Sequence, residues 1–143
     1  MFVMQRISTM DAYTTPNALH RLAKLHTALE SSVRGPAYEA AVEDYVKPIL
    51  TELRPKVLQQ ASQFDAWGAA MALWSYGSLR HNDQAVVSVL IDSLLTMRGS
   101  FKPVDCANIM SAFANLGHMH MGLAKVAMQV RNVPALQNAA CAR

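Results

Sequence analysis

Apolar residues recur along this chain at intervals of three and four, and glycine, proline or a short polar run interrupts them. That spacing predicts helices. Ala18, Leu19, Leu22, Leu25 and Leu29 fall on one face of a first helix, opened by Pro16 and Asn17. The "RGP" at 34–36 breaks it, and Pro36 is placed to start a second helix, where its missing N–H is not needed. Tyr38, Ala41, Val42, Tyr45 and Val46 carry that helix to Pro48. A kink or restart is expected there, and a further break at Pro55, because an interior proline costs about 3 kcal/mol.

Ser62-Gln63-Phe64-Asp65 has the Ser-x-x-acid form of a capping box. It predicts a third helix through Trp67, Ala70, Met71, Trp74 and Tyr76, ending at Gly77. A fourth begins at Asn82-Asp83, where either side chain can cap, and runs through Val86, Val87, Leu90, Ile91, Leu94 and Leu95 to Gly99. Pro103 opens a fifth, through Ile109, Met110 and Phe113 to Leu116 and Gly117, and a sixth runs from Met119 towards Val130, with Pro134 beyond it. No run alternates with period two for long enough to predict a strand. The expected fold class is all-α.

The third and fifth helices spell nearly the same text, "AAMALWSYGSL" and "NIMSAFANLGH". With Gly77 set on Gly117, forty positions apart, Asp65 meets Asp105, Ala72 meets Ala112 and Val86 meets Val126. Each copy then reads as helix, glycine turn, helix. Self-similarity at such a period marks a solenoid, since one helical hairpin cannot bury its apolar face alone. The expected architecture is a short right-handed-type solenoid of about three hairpins, with units at 16–58, 59–100 and 101–133, an N-terminal extension 1–15 and a tail 134–143. Both glycines are expected to adopt the left-handed geometry of a helix end. The alternative is an ordinary helical bundle with chance similarity.

Composition narrows the class. The 143 residues are 52% hydrophobic and 16% charged, which allows one domain and excludes a disordered chain. No apolar run reaches the roughly 18 residues that a membrane-spanning helix needs, so no membrane partner is expected. Two cysteines, Cys106 and Cys141, form neither a disulfide framework nor a metal spacing, which favours a reducing compartment. The net charge is only +3, yet no acid follows Asp105, while Lys125, Arg131 and Arg143 remain. That asymmetry suits an anionic partner, with a solvated helix face as the plain alternative. Residues 1–26 have the Ser/Thr-bearing, acid-poor composition of an organellar transit segment.

"FDAWGAAMALWSYGSLRHNDQAVVSVLIDSL" and "KPVDCANIMSAFANLGHMHMGLAKVAMQ" resemble the octotricopeptide repeats and their relatives in FAST-kinase-domain and RAP-domain proteins. The resemblance runs through Ala72, Leu73, Trp74, Tyr76 and Gly77 in the third helix, and through Asn108, Ala112, Phe113, Leu116 and Gly117 in the fifth. It covers residues 60–130, and residues 16–58 only in outline. It implies a helical-hairpin solenoid acting on RNA in mitochondria or chloroplasts.

An array of this kind offers its first helices as a column to a ligand. Asp105, Asn108, Ser111 and Asn115 fall three or four apart, and forty residues earlier stand Asp65, Gly68, Met71 and Ser75. Asn17, His20, Arg21 and Lys24 form a comparable basic face on the first helix. Asn108, Ser111 and Asn115, with Ser75 in the same column, are candidates for base or sugar contacts, and Arg21, Lys24, Lys102, Lys125 and Arg131 for phosphates. His118 and His120 read as a turn with a phosphate-facing pair. Trp67 and Trp74 share one face, as core residues or as stacking platforms.

Nothing in the chain calls for enzyme chemistry, a cofactor, a metal or a small-molecule substrate. His118 and His120 lack a third ligand, Cys106 lacks a histidine partner and no glycine-rich phosphate loop exists. The expected function is a structural RNA-binding component of an organellar ribonucleoprotein. The mitochondrial ribosome is the first choice, with rRNA and neighbouring proteins as partners. The alternatives are a protein–protein scaffold without RNA, or a piece of a longer RNA-processing factor.

Overall fold

The computed structural model describes residues 6–131. Their order is α1 (Thr14–Ser32), α2 (Pro36–Ala41), α3 (Lys47–Gln60), α4 (Ala66–Ser78), α5 (Gln84–Thr96), α6 (Pro103–Leu116) and α7 (Met121–Arg131), with no strand among the described residues. Helix α4 lies between α1 and α6, and those two contacts are the most extensive between helices. Helix α5 touches both α3 and α7, while α1 with α3, α4 with α5 and α6 with α7 pack as consecutive pairs. Leu19, Leu53, Leu73, Tyr76, Leu90, Ile109, Phe113 and Leu123 fill the space between the two rows and are fully buried.

Of the two prolines, Pro48 stands at a restart, as expected, and Pro55 departs from expectation. A single wide turn of π geometry, Val42–Val46, joins α2 to α3, and the Lys47 N–H donates to the Val42 carbonyl. The wider turn moves aside the backbone that the Pro48 ring would otherwise meet, so the chain stays helical there. Pro55 does not break α3. It sits on the exposed side of the helix, as does Thr51, whose carbonyl loses its usual N–H partner there, while Leu50, Leu53 and Val57 are buried on the opposite side.

The cap of α4 is also corrected. Ser62 belongs to a short 3-10 turn, Ala61–Gln63, and Asp65 is the cap, accepting from the Gly68 N–H at 2.7 Å. Of the two candidates before α5, Asp83 is the one that caps, accepting from the Val86 N–H at 3.3 Å.

Gly77 does not end its helix. It lies inside α4 with an ordinary helical backbone, and a Cβ there would stand 2.8 Å from Ala112 Cα. It is glycine because α4 and α6 approach too closely for any side chain. Gly117 does cap α6 in the left-handed region, at φ 63°. The residue doing that work after α4 is Arg80, at φ 52°. His81 N–H then donates to the Tyr76 carbonyl as His118 N–H does to that of Phe113.

The correspondence between the two hairpins therefore runs thirty-seven positions apart, not forty. Arg80 matches Gly117, and the 3-10 turn Ala61–Gln63 matches Arg98–Ser100. Buried Phe64 matches buried Phe101, and Tyr76 matches Phe113. Asp83 capping Val86 matches His120, whose Nδ1 accepts from the Leu123 N–H at 3.2 Å. Buried Leu50, Leu53 and Val57 of α3 stand in the same relation to Val87, Leu90 and Leu94 of α5.

Within the residues read as an N-terminal extension, Ile7 is buried. Lys56 Nζ donates to the Ser8 carbonyl at 2.7 Å and Gln60 Nε2 to the Met10 carbonyl at 2.8 Å, so this segment is fastened to α3. The tail at 134–143 lies outside the described residues. No described helix is long and apolar enough to cross a membrane.

Candidate nucleic-acid interface

Helix α4 is buried almost all round, because its Ala and Gly residues let α1, α5 and α6 close on it. Only Trp67, Trp74 and Ser78 along its length are half-buried rather than buried. They are seven and four apart, hence one stripe of the helix. Thirty-seven positions on, the same stripe of α6 carries Val104, Ser111 and Asn115, with Asn108 half-buried between them.

On the other side of α4, Lys24 Nζ of α1 lies 5.5 Å from the centre of the Trp74 ring, and the His20 ring lies 5.5 Å away, tilted by 57°. Burial, with the Lys24 charge beside it, lowers the His20 pKa below its usual 6.5, so at neutral pH the ring is uncharged. On the outside of α1 and α4, His20 and Lys24 thus gather at Trp74, and Ser111 and Asn115 hold the positions on α6 that correspond to Trp74 and Ser78. None of these side chains is a carboxylate.

The chain's last acid is hidden as well. Asp105 is 1% exposed and accepts from the Lys102 N–H at 2.8 Å, so α6 and α7 present no carboxylate to solvent while Lys102 and Lys125 are exposed. Of the acids in the first half, Glu39, Glu43, Asp44 and Glu52 are exposed on α2, the wide turn and α3, Asp11 and Glu30 are exposed before and at the end of α1, and Asp65 is exposed as the cap of α4.

The candidate residues separate on this geometry. Lys24 is exposed beside Trp74, Asn115 is exposed and Ser111 and Asn108 are half-buried on α6, and Lys102 is exposed at the start of α6. Ser75 is not among them. It is fully buried and its hydroxyl donates to the Met71 carbonyl at 2.8 Å, so no RNA group reaches it in this fold. Gly68 and Met71 of the same expected column are buried too. Taking the register from the glycines placed Ser75 where Ser78 belongs. The pairs Phe64/Phe101, Ala70/Ala107, Leu79/Leu116 and His81/His118, identical at the shorter spacing, were the signal that could have corrected it.

Arg21 is exposed but faces a different feature, a groove of about 840 Å³ between α1, α3 and the first described residues, with Tyr13, Leu25 and Ile49 along it. His118 is exposed, its ring edge-on to Phe113 at 6.5 Å, while His120 spends its Nδ1 on capping α7. Lys125 is exposed on α7, in the other row from the stripe. Arg131 ends α7, and its side chain lies outside the described residues. Among the described residues no three His, Cys, Asp or Glu side chains gather as metal ligands would.

A second polar cluster ties the hairpins together. Arg54 of α3 donates through Nε to Asp83 at 2.6 Å, and this hydrogen bond holds the Asp83 carboxyl below its usual range. Burial, with Asp83 near, pushes the neighbouring Tyr76 hydroxyl well above its ordinary value. This is a structural joint between α3, α4 and α5. Comparison with protein-family models, curated proteins and solved structures gives no match.

Proposed function

We propose that this chain is a non-catalytic RNA-binding helical-repeat protein, a short solenoid of three hairpins of the kind its octotricopeptide-like sequence suggests. One observation supports it above the others: Lys24 and His20 gather at Trp74 on the outside of α1 and α4, and α6 and α7 expose no carboxylate, while of the exposed acids near that side Glu30 is paired with Arg80 and Asp65 is spent on capping α4. Phosphates favour such a surface through Lys24 and Lys102, and Asn108, Ser111 and Asn115 can donate to and accept from base edges. Three units read about three bases where one repeat reads one base, too few for a free-standing specificity factor. The chain therefore acts as a fixed part of an organellar ribonucleoprotein, the mitochondrial ribosome first and its chloroplast counterpart second, holding an rRNA segment that its neighbours position.

A protein–protein scaffold is the second reading. It is favoured by apolar side chains that stay exposed on the third hairpin, Val104, Met119, Met121 and Met128. Nuclease treatment of native lysate followed by sedimentation separates the two. On the RNA reading the particle carrying this protein shrinks or disperses; a particle of unchanged size supports the scaffold.

A further inference from the structure

The two largest side chains of α4, Trp67 and Trp74, are both only half-buried. Alanine and glycine fill most of the buried positions of that helix, with Leu73 and Tyr76 fully buried, yet Trp74 stays half-buried at the middle of the stripe. An indole placed only to fill a core would turn its rings to aliphatic neighbours. Here the ring rests partly against the core and also meets an ammonium at 5.5 Å and a tilted imidazole at 5.5 Å, so part of its surface is turned towards one cationic and one polar partner. On the α6 side the equivalent position is Ser111, a small residue, with Asn108 and Asn115 a turn away on either side.

We propose that Trp74 is a stacking site for one unpaired base, with Lys24 taking the phosphate of the same stretch of backbone, so that the nucleic acid held on this face is single-stranded. The proposal rests on the RNA reading above and adds the substrate class to it. A base in a duplex has both faces already stacked and offers none to an indole, whereas an unpaired base offers one or both. Lys24, already over the ring, is replaced there by the base and needs only side-chain rotation to reach a phosphate. Asn108 and Asn115 of the adjacent helix α6 would take the edges of neighbouring bases.

The test uses the full chain with Trp67→Phe, so that Trp74 is the sole tryptophan, and two probes: a 12-nucleotide oligouridylate and a blunt RNA duplex of the same length. Binding is read by anisotropy of labelled RNA and stacking by indole fluorescence. The oligouridylate is expected to quench Trp74 and to bind at least about tenfold more tightly than the duplex. Trp74→Leu should weaken it by about five- to a hundredfold with an unchanged salt slope, whereas Lys24→Gln should lower the slope by about one unit. Binding of the single strand without quenching, equal binding of the duplex, or full affinity in Trp74→Leu would overturn the stacking site and leave the RNA reading standing. If neither probe binds, the RNA reading is overturned, and this inference with it.

Discussion

Helices α4 and α6 end in text that looks alike and is solved differently. Both are followed by the same backbone arrangement, in which the residue after a left-handed position donates to a carbonyl five back. After α6 the left-handed residue is Gly117, with nothing within 4 Å of where its Cβ would be. After α4 it is Arg80, an L side chain held in that region, while the nearby glycine, Gly77, serves the contact with Ala112. A glycine near a helix end thus reports one of two things, backbone freedom or lack of space. The neighbour, not the residue, decides which.

The strongest way to break this comparison is Gly77→Ala. The added Cβ meets Ala112 Cα at 2.8 Å and the Ala112 carbonyl at 3.2 Å, atoms that no rotamer change can move. A loss of about 2–3 kcal/mol in denaturant unfolding is expected, as α4 and α6 separate. Ala112→Gly should not restore it, because the nearest atom is backbone. A neutral Gly77→Ala would show that the two helices are not in such close contact.

Next come the caps of the second helices. Asp83→Ala removes both the α5 cap and the Arg54 ion pair, and should cost about 1–2 kcal/mol. His120→Ala removes only a cap, and should cost less. The acid limb sharpens the contrast: the Asp83 pKa is lowered in the folded chain, so its stabilisation is present above the usual 3.8 and is lost as pH falls through the lowered value. Stability measured from pH 6 downward should fall less steeply in Asp83→Asn than in the parent. Equal slopes would mean that the Arg54 pair contributes nothing.

The smallest effects lie at the left-handed positions themselves. Gly117→Ala should cost about 1 kcal/mol, from backbone strain alone. Arg80→Gly should gain somewhat less than that, since it also gives up the exposed pair with Glu30 at 3.1 Å, worth little. Thermal melts of the two variants should therefore move in opposite directions. Movement in the same direction would contradict the thirty-seven-residue correspondence.

The helices were legible because their apolar spacing is regular and their breaks carry glycine or proline. Pro55 was misread because sequence does not show which side of a helix faces water, and that side is where a missing hydrogen bond is tolerated. The register was misread because Gly77 and Gly117 share an identity without sharing a role, and Ser75 followed them into the wrong column. Asp105 shows the same limit from another side: as an acid three residues into α6 it reads as surface, yet it is buried as the partner of the Lys102 N–H. Asn108, Ser111, Asn115 and Lys24 were read as lying outside the core, and the structure leaves them half-buried or exposed.

The proposed path of the RNA runs along the solvent side of α1, α4 and α6. Ultraviolet crosslinking of the protein to RNA within its native particle, with the linked peptides identified by mass spectrometry, tests that directly. Crosslinks are expected on peptides containing Lys24, Trp74, Lys102 and Asn115. Crosslinks confined to the side of Glu39, Glu43 and Glu52, or none at all, would contradict it.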